Sequence, residues 1–168
     1  YEGVRSPVGT GFSISDAESE AFDLPVTVTL SVPSGQGTLD LAGSSAQTTF
    51  TPSGGQAVSI SGDTSATVTL QGRSVDIDAL LKDSTNGLYY FAADGNHDQN
   101  GAAVGDVTLK TQLVENATVA IGSGGPKAIS ADTPINVVAT NDVPTATRTG
   151  AAAVTIVDPS SKYLLYTG

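Results

Sequence analysis

Side chains that could bind a metal ion are concentrated in one polar stretch, DGNHDQNGAAVGD, which covers residues 94 to 106. Oxygen-bearing side chains stand at every second position of its first half, and a carboxylate closes it. These residues are Asp94, Asn96, Asp98, Asn100 and Asp106. Oxygen ligands surround a calcium ion at about 2.4 Å only if the backbone turns sharply, and Gly101 permits such a turn. The stretch therefore favours a calcium-binding loop.

The same stretch departs from the EF-hand pattern. Asn96, Asp98, Asn100 and Gly101 match the first half of an EF-hand loop, but Val107 occupies the position that should supply a bidentate glutamate. The alternative is a polar hairpin loop in which Asp and Asn side chains bond their own backbone. Both interpretations stay open at the level of sequence.

The single histidine of the chain, His97, lies in this stretch beside Asp94 and Asp98 and could orient a nucleophile. The sequence contains no G-x-S-x-G elbow, however, and GSGGPK at residues 122–127 lacks the spacing of a P-loop. No second His and no Cys could join His97 on zinc. We therefore expect a protein that is not an enzyme.

The composition narrows the range of partners. Seventeen acidic residues against seven basic ones give a net charge of −10, which repels nucleic-acid phosphates and anionic membrane surfaces. No apolar run approaches the roughly 18 residues of a membrane span. Clustered carboxylates instead favour a hard divalent cation such as Ca²⁺. We expect no nucleic acid partner, no membrane insertion and calcium as the ligand.

Apolar residues alternate with Ser or Thr along much of the chain, and this period of two is typical of β-strands. The stretches cover residues 26–32, 38–41, 58–61, 66–70, 106–113, 117–121, 135–139 and 153–157. Gly, Pro, Asn and Asp separate them, as turns require. Many short strands at this spacing predict an all-β protein built as an antiparallel sandwich.

The sequence also predicts one short helix, because Val75, Ala79 and Leu80 stand at helical spacing in RSVDIDALLKDS. The aromatics of LYYFAA, residues 88–93, either pack in the core or line a groove, and core packing is favoured.

Pro144 ends the last strand pattern of the main body, so we expect a sandwich over residues 1–144 and a linker with an additional strand over 145–168.

The order of these stretches resembles the cadherin-like repeats of very large bacterial surface adhesins. The resemblance rests on GTGFSISDAES at residues 9–19, VTVTLSVPSGQGTLDL, VSISGDTSATVTLQGRSVDIDALL, LYYFAADGNHDQNG and INVVATNDVPT, and it covers residues 9 to 145. It implies an immunoglobulin-like (cadherin-like) sandwich in a secreted chain at the bacterial cell surface. It also implies calcium ions that stiffen the junctions between repeats.

Four residues inherit a role from this resemblance. SDAES resembles the acidic motif after the first strand of a repeat, which implies that Asp16 and Glu18 are calcium ligands. NDVP resembles the closing motif, which implies the same role for Asn141 and Asp142. The loop after LYYFAA is longer than its counterpart in the family, so this copy is either a plain spacer or a specialised binder.

The resulting expectation is a calcium-stabilised extracellular adhesin module, a structural or adhesive unit whose partners are neighbouring repeats or identical subunits. One alternative is a recognition module for a cell-surface peptide or glycan. Another is a subunit of an extracellular filament assembled by β-strand exchange. The filament follows from the tail, because its apolar residues, such as Val154 and Ile156, would cost about 25 cal/mol per Å² in water. The tail should pair as a strand with its own domain or with the next subunit.

Overall fold

The computed structural model describes residues 4–41, 46–93, 107–116 and 126–137. Nine strands lie in these ranges: β1 (Arg5–Pro7), β2 (Val26–Ser31), β3 (Gly37–Leu41), β4 (Thr49–Phe50), β5 (Val58–Ser61), β6 (Thr67–Gly72), β7 (Leu88–Ala92), β8 (Val107–Glu115) and β9 (Ala128–Ile135). Two helices, α1 (Ala17–Phe22) and α2 (Ser74–Lys82), and a 3₁₀ turn at Gly9–Gly11 connect them. No helix in the described ranges is long and apolar enough to cross a membrane.

The strands form two antiparallel sheets. The larger sheet has the order β4-β5-β6-β2-β8-β9, and the smaller sheet has the order β1-β7-β3. Val28 and Leu30 of β2 are buried while Thr27 and Thr29 between them are partly exposed, as the alternation predicts. The prediction of an all-β protein with antiparallel sheets is confirmed.

The core lies between the two sheets and is closed at one end by α2. Leu39 and Leu41 of β3, together with Leu88 and Tyr90 of β7, face the apolar side of the larger sheet. Each fully buried Leu stabilises the fold by about 1.5–3 kcal/mol relative to an exposed one. Burial also raises the pKa of the Tyr90 hydroxyl, which donates a hydrogen bond to the Gln36 carbonyl at 2.6 Å.

The helices differ in part from the sequence prediction. The single predicted helix is α2, whose Ile77, Leu80 and Leu81 are buried. The second helix, α1, was not predicted, because six residues are too few to show an apolar period. The strand expected at residues 135–139 is wrong in its described part, because β9 covers Ala128–Ile135 and residues 136 and 137 follow it outside any strand. Residues 138 and 139 lie outside the described residues, as do the strands expected at 117–121 and 153–157.

Both ends of the described chain lie at the same end of the sandwich. We call the end at which Val26 pairs with Gly72 and Glu115 the helical end, because both helices follow or precede strands there. At the opposite end, Val107 pairs with Ile135, where β9 finishes. β7 ends there too, because the Ala93 N–H donates to the carbonyl of Gln36, which lies in the turn that follows β2. β1 therefore also starts there, since Arg5 pairs with Phe91, one residue before the end of β7. The expected domain boundary near residue 144 lies outside the described residues.

Candidate metal centre

Three carboxylates converge at the helical end of the sandwich. Asp16, Glu18 and Glu115 each place one oxygen within 4.8 Å of the others. Asp16 directly precedes α1, Glu18 lies in its first turn and Glu115 is the last residue of β8. We call this group the acidic cluster. It joins the two ligands implied by SDAES with a third carboxylate that the sequence analysis did not identify.

Asp16 owes its position to helix capping. Its Oδ1 accepts a hydrogen bond from the Ser19 N–H at 2.6 Å, which satisfies one of the free donors at the start of α1. The preceding segment is fixed to α2, because the Ile14 N–H donates to Asp78 Oδ1 at 2.9 Å. Since the cap uses Oδ1, Asp16 still offers Oδ2 to a ligand. Capping and ion binding are therefore compatible at this residue.

Further contacts join α1 to α2. Ser19 Oγ donates to the Leu24 carbonyl at 2.6 Å and accepts from the Ser74 N–H at 3.1 Å. Arg73 bridges the two helices, with Nε 2.6 Å from Asp76 Oδ2 and Nη1 2.8 Å from Asp23 Oδ1. The bonds to Asp76 and Asp23 raise the pKa of Arg73 above its usual value. This network holds α1, which carries Glu18 and follows Asp16, against α2.

Glu115 is held by the ladder of the larger sheet. It pairs with Val26, and its Oε2 accepts a hydrogen bond from the Lys127 N–H at 2.8 Å. The next residue, Asn116, donates from Nδ2 to Thr27 Oγ1 at 2.6 Å. The sequence signal for Glu115 was weak, since a single Glu at the end of a strand pattern is common on protein surfaces.

The electrostatics of the acidic cluster favour a cation. Two carboxylates about 5 Å apart repel each other by roughly 0.8 kcal/mol even in water, and more where they are partly buried. Asp16 and Glu115 are half-buried, while Glu18 is exposed. Calcium takes six to eight oxygen ligands, so three carboxylates leave room for water or other oxygens. The cluster contains no His and no Cys, which zinc would prefer.

The other predicted ligands, Asp94, Asn96, Asp98, Asn100, Asp106, Asn141 and Asp142, lie outside the described residues. Their assignment to calcium stays a prediction, as does the choice between an ion-binding loop and a polar hairpin for residues 94–106. The described chain leads into that loop from the end of β7, which lies at the opposite end from the acidic cluster.

A second surface with binding potential is the outer face of the smaller sheet. The alternation in β7 sends Tyr90 into the core and places Tyr89 and Phe91 outside, with Phe91 40% exposed. The guanidinium of Arg5 lies 3.7 Å from the centre of the Tyr89 ring, and its Nε is 2.6 Å from Asp40 Oδ2. Arg5 and Asp40 keep one buried atom each, Nη2 and Oδ1, without a hydrogen-bond partner in the described structure.

The outer face of the larger sheet has a different character. Hydroxyl and amide side chains of neighbouring strands line a shallow depression of about 310 Å³ there, among them Thr27, Thr69 and Gln71. This surface presents hydroxyl and amide groups, whereas the surface around Phe91 is aromatic. The two faces therefore differ in what they could recognise.

No family model matches this sequence, and neither a curated protein nor a solved structure is similar enough to count as a match. The class that the described residues define is an all-β protein with two antiparallel sheets and an acidic cluster at one end.

Proposed function

We propose that this chain is a calcium-stabilised module of an extracellular adhesin, a structural or adhesive unit on the bacterial cell surface with an immunoglobulin-like (cadherin-like) sandwich. The observation that carries the calcium part of the proposal is the convergence of Asp16, Glu18 and Glu115 within 4.8 Å. The adhesin part rests on the sequence resemblance described above. The proposal is non-enzymatic.

The ion would act by joining elements that are distant in sequence. Asp16 and Glu18 belong to the turn and helix that precede β2. Glu115 is the last residue of β8, which pairs with β2. Without a cation their charges repel each other at this junction. With a cation the same charges connect the N-terminal segment to the sheet. Calcium suits the cluster better than magnesium, which demands near-ideal octahedral geometry.

The first prediction is that calcium raises the melting temperature. A ligand that binds only the folded state at a hundredfold excess over its Kd adds about 2.7 kcal/mol to the free energy of unfolding. For a domain of this size that corresponds to an increase in Tm of about 5–10 °C. Differential scanning calorimetry in chelator and in millimolar calcium measures it, with equal magnesium as the control. Superimposable curves would contradict the calcium proposal.

A matched pair of variants locates the ion. Glu115→Gln removes one carboxylate of the acidic cluster and should weaken calcium binding at least about tenfold, or about 1.4 kcal/mol. Glu20→Gln removes a carboxylate of α1 that lies outside the cluster and should bind like the parent. Isothermal titration calorimetry distinguishes them. If Asp98→Ala loses affinity while Glu115→Gln keeps it, the ion lies in the loop at 94–106 instead.

Recognition of a cell-surface peptide or glycan is the second candidate function. It is favoured by the exposed Phe91 and the partly exposed Tyr89, which precede residues 94–106 in the sequence and lie beside Arg5. Aromatic faces stack on apolar faces of ligands, and a cation over such a ring adds about 0.5–1 kcal/mol at exposed sites. The hydroxyl and amide side chains on the outer face of the larger sheet instead support the role of a structural spacer.

A further inference from the structure

Within the described ranges, the sandwich is open along the side of β9. β9 is the last of the described strands in the larger sheet, and paired residues of neighbouring antiparallel strands point to the same face. Leu109 and Leu113 of β8 are buried on the core face, yet Thr133 and Ile129, which pair with them, are exposed. Ile129 is 68% exposed. The smaller sheet therefore covers the core face of the larger sheet as far as β8 and leaves the same face of β9 exposed.

A groove of about 410 Å³ runs along this uncovered face. It lies between the β8–β9 pair and the segment at residues 11–15, and its apolar lining includes Phe12, Ile14, Leu113 and Ile129. This volume falls within the usual range for ligand sites. Thr111 also lines the groove and is only 7% exposed, and its Oγ1 has no hydrogen-bond partner among the described residues. The groove therefore combines exposed apolar side chains with a buried Thr111 hydroxyl that has no hydrogen-bond partner among the described residues.

We propose that this groove is the docking site of the chain's own C-terminal segment, residues 151–157, laid in as an extended strand. Its sequence, AAAVTIV, carries no charge, and its alternation puts Val154 and Ile156 on one face and Thr155 on the other. Branched apolar side chains suit the face formed by Ile129 and Leu113. A strand backbone supplies the donors and acceptors that a buried hydroxyl such as that of Thr111 requires.

The connection is long enough, and it favours the chain's own segment over that of a second copy. Thirteen residues lie between Val137 and Ala151, and the fourteen Cα–Cα steps that join these two residues reach up to about 46 Å at about 3.3 Å each. The nine residues of β8 cover only about 27 Å from first to last. A covalent connection of this length gives an effective concentration in the millimolar range, well above that of a second copy at micromolar protein. The docking does not depend on the calcium proposal.

Disulfide trapping tests the contact directly, because the chain contains no cysteine. One double variant of the full chain combines Ala131→Cys, on the groove side of β9, with Ile156→Cys. A second double variant combines Ala131→Cys with Val154→Cys and tests a register shifted by two residues. A disulfide needs Cα atoms about 4.4–6.8 Å apart. The control pair joins Ser59→Cys, exposed on the outer face of β5, with Ile156→Cys.

The expected result is an intramolecular disulfide in one of the two groove pairs, formed about tenfold faster than in the control pair, since docking raises the local concentration of the thiols. Oxidation is run at micromolar protein in chelator, so that a failed calcium proposal does not affect the outcome. Equal slow oxidation of all three pairs would overturn the docking. Disulfide-linked dimers from a groove pair would overturn docking in the same chain and indicate strand exchange.

A substitution pair gives a second, independent readout. Ile129→Asp and Phe22→Asp both replace exposed apolar residues, 68% and 57% exposed respectively. If the segment covers Ile129, Ile129→Asp lowers the Tm of the full chain by several degrees, because a charge is then buried against an apolar strand. Phe22→Asp leaves the Tm nearly unchanged. Equally small effects of both substitutions would contradict the proposal.

Discussion

At the scale of single residues, the acidic cluster is built from side chains that already have structural roles. Asp16 caps α1 with one oxygen, and Glu115 binds the Lys127 N–H with one oxygen. Each therefore has its orientation fixed by the fold itself, whereas Glu18 is exposed and can adjust toward a proposed ion. A site of this kind loses little conformational entropy on binding. The Asp83 carboxylate is oriented in the same way although it belongs to no acidic cluster. It accepts hydrogen bonds from the N–H groups of Asn86 and Thr85, which lower its pKa.

The aromatic face of the smaller sheet yields a prediction at this scale. Phe91→Ala should change the free energy of unfolding by less than about 1 kcal/mol, because the ring is 40% exposed. If the module recognises a glycan or peptide through this face, Phe91→Ala should weaken that binding at least about tenfold, or 1.4 kcal/mol. Glycan and peptide arrays measure it, and Phe22→Ala is the control. Equal binding by both variants and the parent would contradict this role for the face.

At the scale of elements, the turn between β5 and β6 organises a large part of the fold. Asp63 is buried in this turn, and its carboxylate accepts hydrogen bonds from the N–H groups of Leu41, Gln47 and Thr64 at 2.8, 2.6 and 3.0 Å. The Leu41 bond connects the two sheets, since β3 belongs to the smaller sheet. The turn therefore links the sheets as well as two neighbouring strands.

Gly62 begins this turn with a φ of 75°, a left-handed conformation that favours glycine. A Cβ at Gly62 would clash with the Thr67 carbonyl oxygen, whereas Gly54 has the same φ with open space around it. Gly54→Ala should therefore cost about 1 kcal/mol from backbone strain alone, and Gly62→Ala about 3 kcal/mol from strain and clash together. Urea denaturation measures both, and equal losses would contradict this account.

At the scale of the whole molecule, the described chain starts and finishes at the end opposite the acidic cluster. About 27 Å of β8 separates Glu115 from Val107, near which β9 ends. The resemblance to adhesin repeats implies calcium at the junctions between modules. The cluster joins the segment before β2 to the end of β8, so the proposed ion would connect elements of a single module. We therefore expect a single isolated module to show the calcium-dependent increase in Tm.

Distance measurements test this topology. Spin labels on Val4→Cys and Asn136→Cys should lie closer together than labels on Ala17→Cys and Asn136→Cys, because Ala17 stands at the helical end. All three positions are exposed. The difference should be about 10 Å or more, given the length of the strands between the ends. Double electron–electron resonance measures both distances, and the reverse order would contradict the pairing of β1 with β7.

The sequence by itself determined the strands whose two faces differ in environment. In β2, β6 and β8 one face is buried and the other meets water, so their apolar residues alternate, and the same alternation separates Tyr90 from Phe91. β9 escaped prediction because seven of its eight residues are exposed and no burial pattern marks them. The sequence did not predict α1, because the helix is short and its N-cap, Asp16, cannot be distinguished by sequence from other acidic residues.

Only the tertiary structure decided which acidic residues meet. Asp16 and Glu18 are close in sequence, but Glu115 reaches them because β8 pairs along β2 in one particular register. A shift of that register by one residue would turn the Glu115 side chain to the other face of the sheet. Register is set by the burial of Val28, Leu30 and Leu113 together in a shared core. Such long-range packing leaves no local signal at the residue whose carboxylate it positions.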